Sequence, residues 1–148
     1  MTKSIPDLTI PTLGPCQEPS PLGLSTKAGD GIADFTRDDA RVIFDPGGLM
    51  PGASFEAAGP RQRSFFKGSQ IRAGVVTCGG LCPGMNNVIR GIVMQLWHAY
   101  GCREIVGFRF GFRGMAENPV EEPIALTLDF VRDIHLLGGT ALGSSRGA

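Results

Sequence analysis

The spacing of apolar residues changes between residues 71 and 101, and the change predicts a strand followed by a helix. The run from Ala73 to Thr77 is short, apolar and β-branched, which is typical of a strand buried on both faces of a parallel sheet. A helix with one buried face is predicted next, because apolar residues then recur at intervals of three and four. These residues are Met85, Ile89, Ile92, Val93, Leu96, Trp97 and Tyr100. We expect Asn86 to cap the start of this helix and Gly101 to end it.

Three glycines, Gly79, Gly80 and Gly84, separate the predicted strand from the predicted helix. Glycine lets the backbone turn tightly and approach a ligand closely. The helix N-terminus that follows presents unpaired N–H groups and the positive end of the helix dipole, and both favour phosphate. Phosphate binding is therefore the first functional hypothesis.

A second apolar segment, Glu104 to Phe110, follows the helix. The order strand, helix, strand makes a βαβ unit, whose crossover is almost always right-handed. We therefore expect an α/β domain that binds its ligand at the carboxyl ends of the strands. The glycine-rich turn at 107–114 would lie at that same edge. There Phe112 is a candidate to stack on a base and Arg113 to meet a phosphate, although packing and solvent are the more common fates of such side chains.

A third glycine-rich segment lies at 138–148, after a helix that Thr127 is predicted to cap. The segment carries Thr140, Ser144, Ser145 and Arg146 between its glycines. Backbone amides, hydroxyls and a guanidinium fork are together what a polyphosphate needs. A flexible linker is the alternative interpretation.

Residues 1–70 are rich in proline and glycine, which resist both helix and sheet. Two short segments, Ala40 to Asp45 and Arg63 to Lys67, are bounded by turn residues and are predicted strands. We interpret the region as an extended arm on the surface or on a partner subunit, with disorder at its start. A wholly disordered leader is the alternative.

Composition limits the partners. The 148 residues can form one domain at most, and the 14 basic and 14 acidic residues cancel. A neutral chain has no electrostatic footprint for nucleic acid or an anionic membrane. No apolar run is long enough to span a bilayer, and the first residues lack the apolar core of a secretory signal, so a soluble cytoplasmic protein is expected. The four scattered cysteines predict reduced thiols rather than a zinc site.

The common nucleotide motifs do not match. Asn86 and Asn87 stand where a P-loop needs lysine and a hydroxyl, and the glycine turn lacks the dinucleotide spacing Gly-x-Gly-x-x-Gly. Three segments in this order, 75–90, 107–114 and 138–147, instead resemble the phosphofructokinase family. Leu81-Cys82 and the long N-terminal segment with Ala58-Gly59-Pro60-Arg61 are similar to the longer-chain subgroup, which has ATP-dependent and pyrophosphate-dependent members.

The resemblance implies an incomplete Rossmann-like parallel sheet, with an arm at 1–70 and a truncated nucleotide-binding domain at 71–148. It implies phosphoryl transfer from ATP or pyrophosphate to the 1-hydroxyl of fructose 6-phosphate, with Mg²⁺, in a homo-oligomer of glycolysis. By position, Gly80 would contact the donor's phosphates, Arg146 and Gly147 would line the nucleotide site, and Phe112 is a candidate nucleotide contact. Arg90 matches an effector-binding position, whereas Met94 replaces a second effector arginine.

The family's Gly-Gly-Asp-Gly and Thr-Ile-Asp segments do not occur in residues 1–148. The resemblance places the magnesium carboxylate and the catalytic base there. We therefore expect no catalytic residue and no metal ligand in this chain, and no activity of the chain alone. A stand-alone phosphate- or nucleotide-binding module and a nonfunctional truncated remnant are the alternatives.

Overall fold

A computed structural model describes residues 8–44 and 52–146, and its contacts divide the chain into two compact units between Phe66 and Lys67. Two sequence predictions fall outside the described residues, Gly147 as a site residue and Asp45 as the end of a strand, and the predicted disorder at the start of the arm falls outside them at residues 1–7. The predicted domain boundary after residue 70 stays a prediction.

The first unit contains two small antiparallel sheets. One pairs β1 (Glu18–Pro19) with β4 (Arg63–Ser64), and the other pairs β2 (Arg41–Ile43) with β3 (Ser54–Glu56). Both predicted strands therefore exist in shorter form, as β2 and β4. Their partners carry proline or only one apolar residue, which explains why pattern alone did not indicate them.

The second unit is built around the predicted βαβ unit. Strand β5 (Arg72–Val76), helix α1 (Met85–His98) and strand β6 (Glu104–Phe108) follow in order, and β5 pairs with β6 in parallel, with Ala73 opposite Ile105. A short strand β7 (Ile124–Ala125) adds to β6 in the antiparallel sense, giving the order β5-β6-β7. The predicted α/β class with a partial parallel sheet is confirmed.

The start of α1 differs from the prediction. Gly84, with φ of 87°, is the N-cap, and Asn86 lies inside the first turn. The left-handed conformation, which glycine adopts without a steric penalty, turns the chain into the helix two residues earlier than an asparagine cap would. The predicted buried face is also narrower than expected, because Ile89 and Val93 are buried while Ile92 is exposed.

The segment after β7 forms a single helical turn, α2 (Leu128–Val131), and then a 3₁₀ turn at Ile134–Leu136. Thr127 caps α2 as predicted, since its Oγ1 accepts a hydrogen bond from the Phe130 amide at 3.1 Å. The core of the second unit is one cluster of buried side chains: Val75, Ile89, Val93, Cys102, Ile105, Leu126, Val131, Ile134 and Leu142. Among the described residues, no helix is both long and apolar enough to cross a membrane.

Candidate phosphate-binding site

The glycine turn after β5 and the loop at 137–146 lie side by side. Gly79 joins them directly: its N–H donates to the Ser145 carbonyl at 3.0 Å, and its carbonyl accepts from Ser144 Oγ at 2.7 Å. The sequence predicted that both segments serve phosphate, and the structure brings them together at the carboxyl end of β5.

A cavity of about 490 Å³ opens between these two segments. Its lining comprises Gly79, Gly80, Leu81, Gly138, Gly139, Thr140, Gly143, Ser144, Ser145 and Arg146. No carboxylate stands among these lining residues, and one guanidinium does. A wall of glycine backbone, hydroxyls and a single cation favours an anionic ligand.

Arg146 lies beside Gly80 in the cavity lining. A Cβ placed on Gly80 would lie 3.2 Å from Arg146 Nη2, a close contact that the guanidinium would relieve by moving a few tenths of an ångström. Arg146 is exposed and has no ion pair with any residue in the described ranges. The structure therefore brings together two of the residues that the sequence analysis singled out.

Phe112 lies apart from the cavity lining. It belongs to the 3₁₀ turn Gly111–Met115 after β6, and its side chain is exposed. Arg113 is the next residue of the same exposed turn. Nucleotide contact by Phe112 stays a prediction.

The hydroxyl groups of two threonines hold the loop in place. Thr77 Oγ1 donates to the Gly143 carbonyl at 2.7 Å and lies 3.0 Å from Thr140 Oγ1, which in turn accepts from the Leu142 amide at 3.2 Å. These threonines link the end of β5 to the loop. Sequence reasoning named Thr140 only as a candidate ligand contact and assigned no role to the Thr77 hydroxyl.

The turn after β6 is tied to the same loop through Phe110. Its φ of 58° is left-handed, as is that of Gly111, and this conformation costs a non-glycine residue energy. Two hydrogen bonds hold it: the Phe110 amide donates to the Leu142 carbonyl at 2.9 Å, and Ser145 Oγ donates to the Phe110 carbonyl at 2.7 Å. A Cβ on Gly143 would lie 2.7 Å from the Phe110 ring. Hydrogen bonds therefore connect all three glycine-rich segments.

The first unit also has a cavity, of about 570 Å³, with Asp34, Asp38, Asp39 and Arg37 among its lining residues. Although it is larger, its carboxylates would repel a phosphate. The smaller cavity of the second unit therefore remains the better phosphate site. Nowhere in residues 8–44 and 52–146 do three or more His, Cys, Asp or Glu side chains gather as a metal site would require.

A parallel α/β sheet with a glycine-rich anion site at its carboxyl edge is the class of protein that this geometry fits. Within that class, the phosphofructokinase family model matches residues 72–148, more than half of the 148-residue chain. The chain therefore belongs to the phosphofructokinase family.

Several curated relatives carry the name ATP-dependent 6-phosphofructokinase. The protein of Amycolatopsis methanolica is 44% identical over 158 aligned positions, which cover 99% of this chain and 34% of the relative. That of Borreliella burgdorferi is 40% identical over 147 positions, 95% of this chain and 33% of the relative. An Arabidopsis thaliana protein, ATP-dependent 6-phosphofructokinase 1, is 50% identical over 97 positions, 65% of this chain and 20% of the relative. The chain thus spans about a third of the first two relatives.

Proposed function

We propose that this chain supplies the phosphoryl-donor site of a 6-phosphofructokinase, which transfers a phosphoryl group from ATP to the 1-hydroxyl of fructose 6-phosphate in glycolysis. The observation that carries the proposal is the cavity between the two glycine segments, with Arg146 Nη2 beside Gly80. Membership of the family and the printed names of the relatives support ATP as the donor. The cytoplasm is the compartment that this reaction implies.

The chemistry assigned to these residues is electrostatic. A transferring phosphoryl group carries charge on its equatorial oxygens, and positioning and charge stabilisation supply most of the rate. The backbone amide of Gly80 and the guanidinium of Arg146 would bind the donor's phosphate oxygens, and Gly147 and Phe112 would extend the site toward the nucleoside. Glycine at position 80 suits this role because it leaves the guanidinium of Arg146 free of the close contact, 3.2 Å, that a Cβ would make.

Proton transfer from the sugar is not assigned to this chain. The described residues that line the cavity include no carboxylate to accept a proton from the sugar hydroxyl. These lining residues likewise include no carboxylate to bind Mg²⁺, so no step of the proposal passes through the metal ion. Binding and orienting the donor is the share of the reaction proposed here, in an assembly of several subunits.

Calorimetric titration of the 148-residue chain with ATP and with pyrophosphate tests donor binding. We expect Arg146→Ala to weaken binding about 10- to 100-fold, the usual effect of losing a charge-assisted hydrogen bond. Gly80→Ala should weaken it less than Arg146→Ala does, because the new Cβ would move the guanidinium by only a few tenths of an ångström. Arg72→Ala is the matched control, since Arg72 lies at the opposite end of β5 and should leave the Kd unchanged.

Turnover is tested in a hybrid in which this chain replaces the matching third of the Amycolatopsis methanolica protein. With fructose 6-phosphate and ATP, Arg146→Ala should lower kcat/KM by about 10²- to 10³-fold. Faster turnover with pyrophosphate than with ATP would overturn the donor assignment. An active hybrid that Arg146→Ala leaves unchanged would remove Arg146 from the site.

A further inference from the structure

Asn86 is the one buried polar residue in the described part of the chain, at 2% exposure. It lies in the first turn of α1, beneath the loop that begins at Leu137. A buried amide must find hydrogen-bond partners, because an unpaired polar group inside a protein is destabilising. Both ends of this amide are paired, and both partners belong to the loop.

The two hydrogen bonds of Asn86 straddle three residues of the donor cavity. Nδ2 donates to the Leu137 carbonyl at 3.0 Å, and Oδ1 accepts from the Ala141 amide at 2.7 Å. Between these backbone groups lie Gly138, Gly139 and Thr140, all of which line the cavity. One side chain therefore fixes both ends of the segment that would face the donor.

At its start the segment has one other backbone hydrogen bond, from the Leu137 amide to the Ile134 carbonyl at 3.1 Å. A Cβ on Gly138 or Gly139 would meet no atom within 4 Å, and Gly139 has a φ of 77°. Thr140 is bound to Thr77 through its hydroxyl, but that contact acts only at the far end. Asn86 adds to these contacts a hydrogen bond on each side of the two glycines, to the Leu137 carbonyl and from the Ala141 amide.

We propose that Asn86 is a positioning residue of the donor site, whose side-chain amide holds residues 137–141 at the distance from the glycine turn that the donor phosphates require. The proposal rests on the proposed function, because it assumes that the cavity binds a phosphoryl donor. Asn86 does not line the cavity itself. It acts through the backbone of the loop.

The proposal explains why an asparagine stands here. The site requires one donor and one acceptor on a side chain of this length, and aspartate, which has the same shape, provides only acceptors above its pKa. A carboxylate would lose the bond to the Leu137 carbonyl and would repel that oxygen. We call the two hydrogen bonds from Asn86 to residues 137 and 141 the clamp. The helix dipole by itself would favour a carboxylate in this first turn, so the dipole and the clamp predict opposite effects of Asn86→Asp.

Asn86→Asp separates the two predictions, and Asn87→Asp is its matched control. Asn87 is the next residue of the same turn and is exposed. At about pH 8 we expect Asn86→Asp to weaken pyrophosphate and ATP binding about tenfold or more, with Asn87→Asp close to wild type. At about pH 5.5 binding should recover relative to wild type at the same pH, because burial raises the pKa of the introduced carboxyl and a protonated carboxyl again has a donor and an acceptor. Asn86→Leu, which has neither, should bind weakly at both pH values.

Amide NMR of the unliganded chain tests the clamp without any donor. In wild type the Ala141 amide should show the downfield shift of a hydrogen-bonded N–H, and in Asn86→Asp the Gly138 and Gly139 resonances should move and then return as the pH falls. If wild type shows this signature but binds neither ATP nor pyrophosphate, the proposed function fails while the clamp stands. The proposal would be overturned if, at about pH 8, Asn86→Asp kept the Gly138 and Gly139 resonances of the wild type or bound the donor as tightly as the wild type does. A defect equal at both pH values that tracks the loss of thermal stability would also overturn it, since it indicates a merely structural role.

Discussion

Different interactions stabilise the interior of each of the two units. The second unit has a continuous buried cluster that joins β5, α1, β6, α2 and the loop at 137–146. In the described part of the first unit, Ala53 is the single buried apolar residue. Burial of apolar side chains therefore stabilises the unit that carries the candidate phosphate site, and the first unit must depend on other contacts.

Many of the large apolar side chains described in the first unit are exposed. Phe44 and Phe55 pack edge to face with ring centroids 5.4 Å apart, yet both are exposed, as are Val42 and Ile43. Among its described residues each sheet has two strands, and an isolated two-stranded sheet is marginally stable in water. Aromatic pairing adds little where water still reaches both rings.

Polar contacts converge instead on Arg61. Its guanidinium donates to the carbonyls of Thr36, Arg37 and Ala57 and to the carboxylate of Glu56. Thr36 and Arg37 precede β2 in the sequence, whereas Glu56 and Ala57 lie at the end of β3. One side chain therefore joins segments that are distant in sequence. An apolar core therefore stabilises the second unit, whereas the hydrogen bonds of one arginine stabilise the first.

The largest expected effect comes from removing the same atoms from each unit. Ile89 is 1% exposed in the second unit, and Ile43 is 68% exposed in the first. We expect Ile89→Ala to lower the free energy of unfolding by about 2–5 kcal/mol, because it leaves a cavity in the core. Urea unfolding followed by the fluorescence of Trp97, the single tryptophan, measures this change in the second unit.

Ile43→Ala is the matched variant, with an expected change within about 0.5 kcal/mol. Amide hydrogen exchange of β2 and β3 measures it in the first unit. A loss comparable to that of Ile89→Ala would show that the exposed face of β2 is covered in solution, and the contrast between the units would then disappear.

Arg61→Ala should have the next largest effect. It removes the guanidinium from the carbonyls of Thr36, Arg37 and Ala57, of which the Arg37 carbonyl still accepts from the Ala40 amide, and is expected to cost about 1–3 kcal/mol locally. Loss of exchange protection at the Thr36 and Ala57 amides, which donate to the carbonyls of Pro60 and Ala40, measures it.

Arg61→Lys should recover only part of that protection, because an ammonium cannot reproduce the guanidinium fork. Arg37→Ala is the control, since its side chain is exposed and pairs only with Asp39 among the described residues. Unchanged protection in Arg61→Ala would mean that the first unit does not depend on this side chain.

The same contrast explains how much of the fold the sequence could predict. The strand, turn and helix at 72–98 follow from local periodicity and glycine placement, so they were predictable to within a few residues. Strand β7 was not predictable, because Ile124–Ala125 is too short to show a period. Its pairing with Val106 and Gly107 of β6 is not apparent from the local sequence. The short strands of the first unit were predicted only where turn residues bounded them.

For the candidate site, residue types were predictable and contacts were not. Glycines, hydroxyls and Arg146 indicated a phosphate site, and the cavity places Gly80 and Arg146 together. The positions of Asn86 and Phe110 depend on loops that meet only in three dimensions. Asn86 matches a capping residue in sequence, but a left-handed Gly84 took that role and freed the amide to bind residues 137–141.

Two glycines, one in each unit, differ in backbone conformation. A Cβ would meet no atom within 4 Å at either Gly91 or Gly29, but only Gly29 has a left-handed φ, of 80°. Gly91→Ala should stabilise the second unit by about 0.5–1 kcal/mol, since Gly91 lies within α1. Gly29→Ala should destabilise the first by about 1 kcal/mol. Thermal unfolding and local hydrogen exchange measure the two, and a change of the same sign in both would contradict this account.

The smallest expected effect concerns acid. A hydrogen bond from the Ser25 hydroxyl, and then one from the Ile32 amide, lowers the pKa of Asp30 below its ordinary 3.8. A lowered pKa means that the folded unit binds fewer protons than the unfolded chain, so this contribution to stability is full above the ordinary value and is lost as the pH falls through the lowered one. Ser25→Ala should raise the pKa of Asp30 toward 3.8, as followed by NMR of the carboxyl carbon. The pKa of Asp39, which Arg37 lowers, should not change. An Asp30 pKa that Ser25→Ala leaves in place would mean that this hydroxyl does not set the acid response of the first unit.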